Sequence, residues 1–142
     1  DTFLPRSAYS LIITTLKSPI ISAGAFDLDF DTEDKKIKTI AKVASWRSRK
    51  TKLPYGDQAI FIKRKVFERV KGYENCMLME DINLMQKLKK HHFNIKILDQ
   101  KVITSAKKWE ENGVVKNTLR NWLLQVLYFC GINPNILAKY YK

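Results

Sequence analysis

The 142-residue sequence predicts a single domain of mixed α/β class. Three observations carry this. Phe26, Leu28 and Phe30 alternate with Asp27, Asp29 and Asp31, the period of a strand with one buried face. Ile82, Met85 and Leu88 recur at the spacing of an amphipathic helix. Strand and helix signals then follow one another without the strict alternation of a doubly wound sheet, so periodicity alone leaves α+β open beside α/β. A hydrophobic content of 45% at this length is enough for one real core.

The elements follow in order. Pro5 suits a helical first turn, where its missing N–H costs nothing, and the helix runs to about Lys17 with Tyr9, Ile12, Ile13 and Leu16 on one face. Ser18-Pro19 ends it, because the residue before proline avoids the helical region. A strand spans Ile20 to Phe30, and Gly24 within it marks a bulge or a close ligand approach. Asp31 or Thr32 caps a helix from about Glu33 to Arg49, with Ile37, Ile40, Ala41 and Ala44 inward; the far end, Trp46 to Lys52, reads as a basic loop. After a turn at Gly56-Asp57-Gln58 come a strand from Ala59 to Lys63 and a short helix near Val66 to Val70, closed by Gly72. A helix from Met79 to Lys90 precedes two short strands, Phe93 to Leu98 and Val102 to Thr104. Asn112 and Gly113 open a long helix that closes at Gly131, and Asn133-Pro134 is a cap-plus-N1 signature for a last helix through Tyr140.

The net charge of +12 describes a surface that attracts anions: nucleic acid, acidic lipid or a pyrophosphate. The cations are spread over Lys35 to Lys38, Arg47 to Lys52, Lys63 to Lys65, Lys87 to Lys90 and Lys107-Lys108, which argues against one dedicated nucleic-acid stripe. Cys76 and Cys130 are far apart and form no CxxC pattern; they read as reduced thiols of a cytosolic protein. The start has no basic region before an apolar run, and no stretch approaches the about 18 apolar residues of a membrane span. Trp122 to Cys130 is nearly all apolar and reads as a core helix, an interfacial helix on lipid or a dimer face. Lys116 and Arg120 before it, and Lys139 and Lys142 after it, suit an anionic membrane surface.

Glu80-Asp81 sets two adjacent carboxylates at the mouth of a helix. A carboxylate can act there as a general base, and acidic residues are also favoured in any first turn, where they oppose the helix dipole. A helix N-terminus makes a carboxylate a weaker base, so a base at this place needs burial as an offset. The Gly56-Asp57-Gln58 turn, preceded by Leu53-Pro54-Tyr55, can present N–H groups and a carboxylate to a polar ligand, although alone it is an ordinary turn. His91-His92 is adjacent rather than spaced by a helical turn, which argues against a metal pair.

Taken together, Leu53-Pro54-Tyr55-Gly56-Asp57-Gln58, Met79-Glu80-Asp81 and Ser105-Ala106-Lys107-Lys108-Trp109 resemble, in order and spacing, the C-terminal half of a family 2 glycosyltransferase of the GT-A fold. The radical-SAM/selenodomain-associated subgroup is the nearest likeness, and it covers nearly the whole chain. The resemblance implies an acceptor-side mixed α/β part over residues 1–110, C-terminal helices over 111–142, and a nucleotide-binding half upstream, so that this segment alone is inactive. It implies sugar transfer from a nucleotide-diphosphate donor to a hydroxyl acceptor, free or lipid-linked, with inversion. Asp81 is then the general base with Glu80 beside it, and Tyr55, Gly56, Asp57 and Gln58 line the substrate pocket. Asp1 would be the end of an Asp-x-Asp-type element holding Mg²⁺ or Mn²⁺. Lys107 and Lys108 would meet pyrophosphate as point charges, Trp109 would stack on a sugar face, and Arg120 is a further phosphate candidate. Lys108 stands where many relatives carry Arg before Trp, and Gln-x-x-Arg-Trp is absent, which argues against a processive polysaccharide synthase. The implied location is cytoplasmic, with peripheral contact at the inner membrane face. The rival readings are a basic module for anionic membrane or nucleic acid, and an interaction domain that forms homodimers through 122–130.

Overall fold

Residues 2–141 are described by a computed structural model of the chain, apart from the side chains of Lys108 and Asn112. The period-two run becomes β2 (Ile21–Phe30), the spine of a mixed sheet. With β1 (Thr2–Phe3), β3 (Phe61–Ile62) and β4 (Asn94–Thr104) it forms four strands in the order β1-β4-β2-β3. β2 and β4 run parallel, while β1 and β3 pair antiparallel at the two edges. The chain is therefore mixed α/β.

Alternation along β2 sends side chains to two cores. Phe26, Leu28 and Phe30 pack with Ala8 of α1 (Ala8–Lys17) and with Ile37 and Ala41 of α2 (Lys35–Thr51). Ala23 and Ala25 face the other way, onto Val66 and Phe67 of α3 (Arg64–Arg69) and Leu84, Met85 and Leu88 of α4 (Glu80–Lys90). Helices thus cover both faces of the sheet. Beyond β4 come α5 (Lys107–Asn112), α6 (Val114–Phe129) and α7 (Pro134–Leu137).

Several boundaries differ from expectation, each for a physical reason. α1 starts at Ala8, three residues after Pro5, whose carbonyl accepts from Ala8 N in a preceding turn. Asp34 caps α2 by accepting from Lys36 N at 2.7 Å. Asp31 is occupied elsewhere, accepting from Ala106 N at 2.6 Å. The expected basic loop is helical through Thr51, and Lys52 closes it in the left-handed region. Its inward stripe is Ile37, Ala41, Ser45 and Ser48, so polar residues continue the buried face where apolar ones stop.

Those polar residues repair the sheet. The two predicted strands after α4 are one strand, with a bulge where Phe26 faces Leu98 but Asp27 faces Lys101. There Leu28 N donates to Ser45 Oγ at 2.9 Å, and Arg49 reaches Asp27 at 2.7 Å and the carbonyl of Leu98 at 3.3 Å. The backbone groups that the bulge removes from the ladder therefore find partners on α2.

Gly24 directly follows a second register shift, where Ile21 faces Asn94 but Ala23 faces Ile95, so the bulge expected in this run lies beside it. A Cβ on Gly24 would run into Phe61 Cζ and lie 2.6 Å from the carbonyl oxygen of Lys96. The backbone oxygen cannot move without breaking the ladder. Gly24→Ala is expected to lower unfolding free energy by about 1–3 kcal/mol, the usual range for overpacking, read as a lower urea midpoint at an unchanged m-value. A midpoint equal to the parent's would show that both Phe61 and the Lys96 carbonyl give way without cost.

Candidate functional site

The site begins with a buried glutamine. Gln58 ends a 3₁₀ turn, Gly56–Gln58, that lies beside Phe26 of β2, and its side chain is fully buried. Its Nε2 donates to the Phe26 carbonyl at 3.0 Å, and its Oε1 accepts from Ser48 Oγ at 2.6 Å and Tyr55 N at 3.2 Å. Gln58 therefore pins the turn to β2 and α2 from below, and its polar atoms face protein rather than the surface.

Above this peg the turn meets the mouth of α4. Gly56 N donates to Asp81 Oδ2 at 2.6 Å, and Ile82 N donates to Asp81 Oδ1 at 2.7 Å. One hydrogen bond thus joins the two motif stretches across the fold. Glu80 is exposed beside Asp81, where both carboxylates oppose the dipole of α4. Burial raises the Asp81 pKa above its ordinary value, outweighing the two backbone donors that pull it down. The weakening effect of the helix terminus is therefore overcome, as a base at this place requires.

Asp57 lies next to Asp81. Burial first, then the charge of Asp81, push its pKa up to about 6, against the pull of Arg47. Its Oδ1 is sealed from solvent and has no hydrogen-bond partner among the described residues. Arg47, from the helical end of α2, lays its guanidinium 3.6 Å from the centre of the Tyr55 ring and faces the charges of Asp57 and Asp81. Burial also raises the Tyr55 phenol to about 12. Tyr73, raised by burial and by the nearby Asp81 and Glu80 charges, lines an open cleft of about 250 Å³ with Ile60, Ile62, Arg64 and Phe67.

Backbone conformation singles out the same place. Among the described residues five non-glycine residues have positive φ. Lys52, Lys71 and His92 follow the ends of α2, α3 and α4, an ordinary use of the left-handed region. The other two, Ala59 at φ 49° and Met79 at φ 65°, directly follow the Gly56–Gln58 turn and directly precede Glu80. Strain of this kind costs about 1 kcal/mol or more per residue and concentrates at functional sites.

A raised carboxylate is a stability statement. Folded Asp57 keeps its proton to about pH 6, against an ordinary 3.8, so the folded state binds more protons between those values. Its contribution is full below about pH 4 and lost as pH rises through about 6, on the order of 2–3 kcal/mol. Asp57→Asn is therefore expected to be the more stable protein at pH 8 and to lose that advantage at pH 4, measured as the difference between urea curves of the two proteins. Parallel pH dependences would show that Asp57 is hydrated in the folded chain.

The remaining predicted site residues lie apart from this cluster. Trp109 packs edge-on against Phe30 at the C-terminal end of β2, with centroids 5.9 Å apart, and is half-buried in the core over that face. Lys107 is exposed and pairs with Glu111 at 3.8 Å. The Lys108 side chain and Asp1 lie outside the described residues. Arg120 donates to Asn117 at 2.6 Å and stands over the Tyr141 ring. Among the described residues no three His, Cys, Asp or Glu side chains converge as a metal site. Cys76 and Cys130 are both free thiols. No helix among the described residues is long and apolar enough to cross a membrane.

Sequence reasoning missed Arg47 and Tyr73. Arg47 was visible only as one cation in a basic run, and its approach to Asp57 depends on α2 continuing past Trp46. No family model, curated protein or solved structure matches this chain.

Proposed function

We propose that this chain is the acceptor-side part of an inverting, GT-A-type family 2 glycosyltransferase, and that the Gly56–Gln58 turn and the mouth of α4 form its acceptor site. The observation that carries the reading is the hydrogen bond from Gly56 N to Asp81 Oδ2. It sets two carboxylates with raised pKa values, Asp57 and Asp81, beside one cation, Arg47.

In this mechanism the acceptor hydroxyl approaches Asp81 beside the exposed Gly56 of the turn. Asp81 takes its proton as the oxygen attacks the anomeric carbon, and the bond to the departing nucleoside diphosphate breaks on the opposite side. Asp57 accepts from a second acceptor hydroxyl through Oδ2, since its Oδ1 is sealed from solvent. Arg47 pulls the Asp57 carboxyl back toward the ionised form against its burial. Gln58 acts one layer beneath, holding the turn at the distance the Gly56 contact needs. Trp109 and Arg120 are assigned to packing and to the α6 surface rather than to the reacting atoms. A divalent cation would neutralise charge on the leaving pyrophosphate, and no step here depends on one.

The reading predicts acceptor-dependent release of a nucleoside diphosphate from a nucleotide sugar by the intact protein that contains this segment. The rival binding-module reading predicts anion affinity that falls steeply with salt and no response to a nucleotide sugar.

A further inference from the structure

The helix α6 is built inside out. Its inward stripe is Asn117, Asn121, Leu124 and Tyr128: Asn117 is buried, and the Tyr128 hydroxyl donates to Gln86 Oε1 of α4 at 3.1 Å. Its outward side carries Val115, Leu119, Trp122, Leu123, Val126 and Phe129, with exposures from 55% at Phe129 to 69% at Val115. Positions 115, 119, 122, 126 and 129 alternate steps of four and three, which places them on one straight stripe. A helix packed only for its own domain would turn this stripe inward.

Charge identifies what covers it. From residue 114 to the last residue the chain has Lys116, Arg120, Lys139 and Lys142 and neither Asp nor Glu. Lys116 and Lys139 are exposed, and Tyr140 beside Lys139 is 70% exposed. Two copies of a chain with net charge +12 repel when brought face to face. A negatively charged sheet of lipid attracts the same face, accepts Trp and Tyr at the headgroup level, and lets long cationic side chains reach phosphates while their stems stay apolar. At 16 residues α6 is about 24 Å long, too short and too polar on its inner face to cross a bilayer, and of the right length to lie along one.

We infer that α6 docks in the plane of an anionic phospholipid surface through its Val115–Phe129 stripe. The docking is independent of the chemistry assigned to Asp81. The test is sedimentation of the intact protein that contains this segment with vesicles of phosphatidylcholine alone and of equal parts phosphatidylcholine and phosphatidylglycerol. Binding to the mixed vesicles only is expected. Trp122→Glu should weaken it roughly tenfold or more through lost apolar burial, and Lys116→Glu about fivefold or more through lost attraction to the surface. Both side chains are exposed, so far-UV circular dichroism should not change; Leu119→Glu serves as a second probe of the stripe. Failure to bind mixed vesicles, or binding that survives both Trp122→Glu and Leu119→Glu, would overturn the inference. So would a concentration-dependent doubling of mass that Trp122→Glu abolishes without any vesicle binding, since the face would then belong to a second copy.

Discussion

Asp81→Asn in the intact protein is expected to lower kcat by about 10²–10⁴-fold, the usual contribution of a general base, with the apparent affinity for the nucleotide sugar little changed. The reason is geometric. An amide is nearly isosteric with the carboxylate, and its one carbonyl oxygen can still accept from Gly56 N, now 2.6 Å from Asp81 Oδ2, at the loss of the bond from Ile82 N, so the turn keeps its place. What is lost is the basic oxygen. Glu80→Gln, one residue earlier and exposed, should have a small effect. Steady-state kinetics of the two variants separate the roles. A near-normal kcat for Asp81→Asn would remove the base from Asp81 and leave Asp57, with its own raised pKa, as the carboxylate to test.

The largest effect on stability is expected from Gln58→Leu, at about 3 kcal/mol. Leucine fits the space but leaves the Ser48 hydroxyl, the Tyr55 N–H and the Phe26 carbonyl without the partners that Gln58 supplies. Each buried group left unsatisfied costs about 1–3 kcal/mol, and relaxation makes the sum less than additive. The unfolding free energy from urea curves measures it. A loss below about 1 kcal/mol would mean that water enters beneath the turn and takes over those bonds. Because the turn carries Gly56 and Asp57, the same variant should lose turnover at temperatures where it is still folded. This links the peg to the site above it.

How much of this was legible depends on what kind of residue does the packing. The apolar rules succeeded where apolar residues are buried: Phe26, Leu28 and Phe30 on one face of β2, and Ile82, Met85 and Leu88 inside α4. The Asn133-Pro134 cap also stands as read, with Asn133 accepting from Asn135 N at 2.9 Å. They failed where polar side chains face inward. Ser45 and Ser48 continue the buried stripe of α2, but in sequence they interrupt it, so a helix that runs to Thr51 looked finished near Arg49. The bulge in β4 looked like a break between two strands because its partners, Ser45 and Arg49, are remote in sequence. The six residues of α5 are too few to show a period. On α6 the apolar run was visible, but which way it faced was not: the core reading placed Trp122 to Cys130 inside, whereas Leu124 is buried and Trp122, Leu123, Val126 and Phe129 are not.

For the candidate site, the residue types were legible and the contacts were not. Asp81 at a helix mouth and Gly56 in a turn are individually common, and only their 2.6 Å approach makes them a pair. Arg47 had no local signal, because the carboxylates it faces come from the turn after α2 and from α4. Asp1 and the Lys108 side chain lie outside the described residues, and Trp109 meets Phe30 rather than the carboxylates.

In the proposed reaction Asp57 and Asp81 frame the point where an acceptor hydroxyl loses its proton to start an inverting sugar transfer. The most direct test is to incubate the intact protein with a panel of nucleotide sugars and hydroxyl acceptors, and to read both nucleoside diphosphate release and the anomeric configuration of the product by NMR. Acceptor-dependent release with inverted configuration, abolished by Asp81→Asn, is the predicted result. Retained configuration, or no release with any donor from a folded protein, would rule out an inverting transfer with Asp81 as its base.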